Sequence, residues 1–148
     1  MTAGPVDPVV QVARGWIGTP YVHQASVRGV GCDCLGLIRG IWREVIGPEP
    51  ETIPPYASDW SEPQGREWLW QAMARHLRPV TGSMQPGDVL LFRMREGSVA
   101  KHLGILARAG TAPAFIHAYS GHGVVESALG LPWQRRIAAR FAFSERVQ

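Results

Sequence analysis

Apolar positions along the chain change period once, near Gly82. Before that point they recur at helical spacing. Val9, Ala13 and Trp16, with Val10 and Ile17 beside them, form one stripe behind Asp7-Pro8. A capping carboxylate and a proline in the first turn suit a helix start, because proline has no N–H to leave unpaired there. Gly18-Thr19-Pro20 ends this run, and residues 21–31 read as a glycine-containing loop. Leu35, Ile38, Ile41, Trp42, Val45 and Ile46 then repeat at three and four residues. They predict a second helix that begins at Asp33 or Cys34 and stops at Gly47-Pro48. Gly36 and Gly40 within it weaken helix propensity but suit close packing on another backbone, such as a sheet. Residues 47–60 are proline-rich and read as a meandering surface segment. Ser61 and Gln64 have capping-box spacing for a third helix carrying Trp68, Leu69, Ala72, Met73 and His76, ended by Arg78-Pro79.

Beyond Gly82 short apolar runs are separated by turn residues. Strands are predicted over 88–93, 102–109, 114–119, 124–127 and 136–143; in the last, Ile137, Ala139, Phe141 and Phe143 share one side. Short turns over 108–113 and 120–123 favour antiparallel neighbours. Helices first and strands after them read as a single α+β domain spanning residues 1–148.

Composition narrows the function classes. With 148 residues, 45% hydrophobic and 18% charged, the chain can build a core and is unlike a disordered segment. No stretch approaches the roughly 20 apolar residues of a membrane span. Met1-Thr2-Ala3-Gly4-Pro5 lacks a basic region ahead of an apolar run, so no signal peptide is expected. Fifteen basic against twelve acidic residues, with no concentrated basic footprint, argue against a nucleic-acid binder. The balance is uneven: five basic and eight acidic groups lie in residues 1–74, ten and four in residues 75–148. The basic half is either a solvated face or a surface that orients the protein on an anionic polymer such as a cell wall.

Cys32-Asp33-Cys34 is the most unusual local feature. Two cysteines this close cannot staple a distant loop, and a bridge between them would close a strained ring. Cys34 falls where a helix starts, and unpaired amides with the helix dipole there would lower a thiol pKa and favour the nucleophilic thiolate. An inert buried cysteine is the competing reading. Cys32 precedes the helix and has a weaker case. Asp33 suits a cap, and its carboxylate can also orient loop amides. A nucleophilic cysteine needs a base, and His23, His76, His102, His117 and His122 are available. His102 and His117 fall on successive predicted strands, where two rings can lie side by side, one facing the thiol and one fixing its partner's tautomer. Gly104 leaves space for a close approach to the first of those strands. Cys32, Cys34, His102 and His117 also compose a zinc-ligand set, but one intervening residue is fewer than structural zinc sites use.

Gly18-Thr19-Pro20-Tyr21-Val22, Cys32-Asp33-Cys34-Leu35-Gly36-Leu37, Pro86-Gly87-Asp88-Val89-Leu90-Leu91-Phe92, His102-Leu103-Gly104-Ile105 and Ile116-His117-Ala118, in that order, resemble the NlpC/P60 family of cysteine peptidases. More narrowly they resemble its branch in phage tails and phage-like particles. The resemblance runs from about residue 8 to residue 143 and implies a papain-like fold, with N-terminal helices packed on an antiparallel sheet. It implies Cys34 as nucleophile, His102 as base, His117 as the residue that orients it, and Tyr21 as a contributor to the oxyanion site. Asp88 matches a turn position. The implied substrate is the stem peptide of bacterial peptidoglycan, cut between D-glutamate and a diamino acid, with no cofactor and no metal. The implied partners are phage tail or particle proteins that deliver the enzyme to the cell wall or periplasm. A non-catalytic tail component and another thiol acyl-transfer enzyme are the alternatives. Leu35 departs from the serine usual after the nucleophile, and the interval from His102 to His117 is long for the family. Among the tryptophans, Trp60 and Trp133 are groove candidates, whereas Trp16, Trp42 and Trp68 fit helix stripes.

Overall fold

A computed structural model of the chain describes residues 7–53, 55–56 and 66–143. The first helix, α1 (Pro8–Gly15), is capped by Asp7, whose carboxylate accepts from the amides of Val9 and Val10. It buries Val9, Val10 and Ala13. The loop that follows contains a small antiparallel hairpin, β1 (Ser26–Val27) and β2 (Gly31–Cys32), which the period of its residues does not announce. Next come α2 (Cys34–Val45) and α3 (Trp68–His76). Glu67 stands at the cap position of α3 without a side-chain cap bond. The Ser61 and Gln64 capping signal and Trp60 lie outside the described residues.

The rest of the chain builds a six-stranded antiparallel sheet: β3 (Arg78–Pro79), β4 (Val89–Phe92), β5 (His102–Arg108), β6 (Ala114–Tyr119), β7 (Gly123–Ala128) and β8 (Ile137–Ala142). Its order is β3-β8-β4-β5-β6-β7. A one-turn helix, α4 (Leu131–Gln134), joins β7 to β8 and was not foreseen, since four residues are too few to show a period.

Alternation along the strands sorts side chains onto two faces. Leu103, Ile105, Ile116, Ala118 and Phe141 meet Val9, Ala13, Leu37, Ile38, Ile41 and Met73 of the helices in the main core. The opposite face carries a smaller cluster of Leu90, Phe92, Leu106, Phe115 and Leu129, with Trp133 packed on it. The two helix glycines serve different neighbours. A methyl group at Gly36 would overlap the Ala25 carbonyl, a backbone contact. One at Gly40 would overlap the Trp16 ring, so this close approach is helix on helix, not helix on sheet. Trp16 is thereby sealed in the core, with its indole N–H donating to Glu44 at 2.8 Å.

Candidate active site

Asp33 fixes the start of α2. Its Oδ1 accepts the Gly36 amide at 2.8 Å as the helix cap, and its Oδ2 accepts the Gln24 amide at 2.7 Å and the Tyr56 hydroxyl. One buried carboxylate therefore ties the helix start to the preceding loop and to the proline-rich segment. Cys34 is the first residue of α2, and the first intrahelical bond runs from Leu37 to the Asp33 carbonyl. The Cys34 amide lies ahead of that bond and has no partner within the helix.

The Cys34 sulfur rests against the first residues of β5, 3.9 Å from the Lys101 carbonyl, with the Leu103 and Leu35 amides directed at it. These contacts flank His102. Cys34, His102, Tyr21, Asp33 and Tyr56 line one cleft of about 160 Å³. Tyr21 is held there by its backbone: it bridges to Cys32, the Cys32 amide donates to the Pro20 carbonyl, and the Val22 amide donates to the Cys32 carbonyl. Cys32 is fully buried and lends its main chain to this clamp. Both cysteines are free.

His102 Nε2 lies 2.8 Å from His117 Nδ1, and the rings meet edge to face. Strand register explains the pairing. Ile105 is opposite Ile116, so one step further Gly104 is opposite His117. The missing side chain leaves room for the diagonal contact: a Cβ at Gly104 would lie 2.8 Å from the Phe115 ring and 3.3 Å from the His117 Cβ. His117 Nε2 in turn lies 3.0 Å from Ser127 Oγ. Ser127 was not singled out from the sequence. Its strand was predicted, but only the pairing of β7 with β6 brings its hydroxyl beneath His117. A proton on His117 Nε2, given to Ser127, leaves Nδ1 to accept from His102 Nε2–H, and His102 Nδ1 is then the basic nitrogen.

Trp133 is not a groove residue as expected. It packs against Phe92, Phe115 and both histidines, with ring centroids 5.8 Å from His102 and 5.3 Å from His117. The other three histidines take other places. His23 lines the cleft with Nδ1 3.6 Å from Asp33, His76 pairs with Glu51, and His122 stacks on Tyr119. Asp88 holds the turn before β4, accepting from the Gln85 amide and from Arg140, each at 3.0 Å. Among the described residues no three His, Cys, Asp or Glu side chains converge as a metal ion would require, and no helix is long and apolar enough to cross a membrane.

Burial dominates the electrostatics and corrects one expectation. The helix start was expected to lower the Cys34 pKa. Instead, burial, reinforced by the Asp33 carboxylate, pushes the thiol up to about 12 against the opposing Leu103 and Leu35 amides. Burial likewise lowers His102 to about 3, with His117 adding to the shift, and lowers His117 to about 4, with His122 adding. Tyr21 rises to about 12, through burial first and then the nearby Cys34 and Asp33. Burial thus disfavours the charged form of both Cys34 and His102.

Fold and site together define a papain-like α+β domain, with a helix-start cysteine and His102 sharing a cleft and His117 buried against His102. The NlpC/P60 family profile matches residues 18–140, and the chain belongs to that family. Gamma-DL-glutamyl hydrolase of Bacillus subtilis (strain 168) is 33% identical over 103 residues, which cover 70% of this chain and 21% of that protein. The chain thus spans about a fifth of that relative's length. A solved Staphylococcus aureus (subsp. aureus Mu50) structure, described as similar to a lipoprotein of the NLP/P60 family, superimposes with a TM-score of 0.58 and 21% identity. That match covers 95% of this chain and 43% of the other and establishes the shared fold.

Proposed function

We propose that the protein is a cysteine peptidase that hydrolyses amide bonds in γ-glutamyl-containing peptides, with the peptidoglycan stem peptide, cut between D-glutamate and the diamino acid, as its substrate. The observation that carries this reading is the joint placement of Cys34 and His102 in one cleft, with His102 held 2.8 Å from His117. Family membership and a relative named as a gamma-DL-glutamyl hydrolase support it.

In this reading His102 Nδ1 takes the Cys34 proton as the sulfur attacks the amide carbonyl. Because burial raises the thiol, the base is needed to draw off its proton for the attack. The Cys34 amide and the Tyr21 hydroxyl receive the developing oxyanion. His117, steadied by Ser127, holds the His102 ring in plane and supports its transient positive charge. Imidazolium His102 then gives its proton to the leaving amine, and water hydrolyses the thioester. The narrower resemblance to phage-tail enzymes makes delivery by a tail or tail-like particle part of the same proposal.

Mass spectrometry of peptidoglycan fragments tests the chemistry. The wild-type protein is expected to cut stem peptides, and Cys34→Ala to leave them intact. Cleavage of glycan strands instead, or equal activity in both proteins, would overturn the reading.

A further inference from the structure

Helices α1, α2 and α3 each begin behind an acidic residue, and two of those carboxylates cap the helix they precede: Asp7 accepts from amides of α1 and Asp33 from an amide of α2. Glu67 holds the same position before α3 and makes no cap bond. Its carboxylate instead reaches the loop between β4 and β5. Oε2 accepts from Arg93 Nη1 at 2.7 Å, just past the end of β4, and Oε1 accepts the Ala100 amide at 2.9 Å, shortly before β5. One side chain therefore grips both arms of the loop at its base. The same Arg93 nitrogen donates to the Ser98 carbonyl, and its guanidinium lies 5.7 Å over the Trp70 ring of α3. Val99 and Ala100 are buried, so the Ala100 amide needs an acceptor from the protein. The incoming arm runs directly into the site. Lys101 donates its amide to the Phe92 carbonyl at 3.0 Å and turns its own carbonyl to within 3.9 Å of the Cys34 sulfur. His102 is the next residue. Met94, beside Arg93, and Lys101 both line the Cys34 cleft.

We propose that Glu67 is a positioning residue for the hydrolysis proposed above, a role that rests on that reading: it clamps the β4–β5 loop so that the Lys101 carbonyl and His102 meet the Cys34 sulfur in register. Its chemistry suits this task better than a local one. A residue serving only its helix would be a short cap such as Asp or Ser, whereas the longer Glu side chain leaves the helix start and spans to a different element. The two contacts differ in weight. The ion pair with Arg93 is 30% exposed at both partners, so solvent weakens it. The bond to Ala100 is charge-assisted, ends on a buried segment and stands two residues ahead of the base. That bond is the one that transmits position to His102. Glu67 touches neither Cys34 nor His102 and acts through the loop alone.

Glu67→Ala and Glu67→Gln in the full chain test the clamp. Steady-state cleavage of a stem peptide is measured where urea unfolding shows both variants to be folded. Glu67→Ala is expected to lower kcat by about 3- to 10-fold with little change in KM, the effect of a base displaced by a fraction of an ångström. Glu67→Gln loses the ion pair but keeps an oxygen for the Ala100 amide, and is expected to recover most of that loss. The second readout needs no turnover. In protein carrying isotope-labelled histidine, the ring-nitrogen signals of His102 and His117 should shift in Glu67→Ala and return towards wild type in Glu67→Gln. Equal loss of kcat in the two variants, a change confined to KM, or histidine signals unmoved in Glu67→Ala would overturn the inference. The two readings fail separately. Shifted histidine signals in Glu67→Ala, in a protein whose wild type cuts no stem peptide, uphold the clamp and remove the peptidase reading. Cleavage that Glu67→Ala leaves at the wild-type rate does the reverse.

Discussion

Replacing Gly104 by alanine tests the link between strand register and the histidine pair. The added Cβ would sit 2.8 Å from Phe115 Cδ2, 3.2 Å from the Ile116 carbonyl and 3.3 Å from the His117 Cβ. None of these neighbours yields easily. Phe115 is wholly buried between Phe92 and Trp133, and the Ile116 carbonyl belongs to the sheet backbone. Relief therefore requires β6 to move away from β5 by several tenths of an ångström. Overpacking of this kind costs about 1–3 kcal/mol of stability. The same displacement stretches the 2.8 Å His102–His117 contact towards the limit of a hydrogen bond. If His117 aligns the base, kcat should fall about 3- to 10-fold while KM changes little, since a full ångström of misplacement costs about 100-fold and this shift is a fraction of that. Gly130→Ala is the control. Its Cβ would meet only Pro132 Cδ at 3.7 Å, an ordinary contact, and stability and kcat should stay near wild type.

The assay pairs urea unfolding with steady-state hydrolysis of a stem-peptide substrate. A destabilised Gly104→Ala that keeps wild-type kcat would show that the histidine contact is structural. Unchanged stability and unchanged kcat together would refute the packing argument itself.

Three further outcomes follow from burial and charge. With the thiol raised to about 12, alkylation of Cys34 by iodoacetamide should be slow at pH 7 and still climbing at pH 10; a rate plateau below pH 8, tracked by mass spectrometry, would contradict this. His102 and His117 have folded pKa values lowered to about 3 and about 4 from 6.5, so the unfolded chain binds the additional protons. Their contribution is full above pH 6.5 and is lost as pH falls through that window, so Tm should drop between pH 6.5 and 4, and less so in His102→Gln. Arg140→Ala should cost about 3 kcal/mol in chemical denaturation, because it strands the buried Asp88 carboxylate, and Asp88→Asn on that background should recover part of the loss.

Much of this architecture is legible in the chain because local and tertiary demands agree there. Asp7-Pro8 and Asp33 cap the helices they suggest, and the strand runs after Gly82 form the antiparallel sheet. The site was legible as far as its residue types went: Cys34, Tyr21 and His102 do share a cleft, and His117 lies against His102. What escaped depends on pairing across the sheet or on packing. Ser127 joins the histidines only through the β6–β7 register. Trp133 sits in a four-residue helix with no period of its own, and its rings and neighbours belong to the smaller core. The hairpin Ser26–Val27 with Gly31–Cys32 is held by backbone bonds that composition does not encode.

The thiol shows most clearly why position along the chain is not environment. A helix start supplies favourable amides, and the Leu35 amide does oppose the upward shift at Cys34. Yet the same carboxylate that caps the helix adds negative charge beside the sulfur, and the core closes over it. Desolvation then outweighs the helix terminus. The burial that places Cys34 at the cleft therefore also favours its protonated form. In such an arrangement the burden of activation passes from the helix to the base. In the proposed mechanism, the contacts of His102 with His117 and of His117 with Ser127 therefore carry more of the activation than the motif around the cysteine.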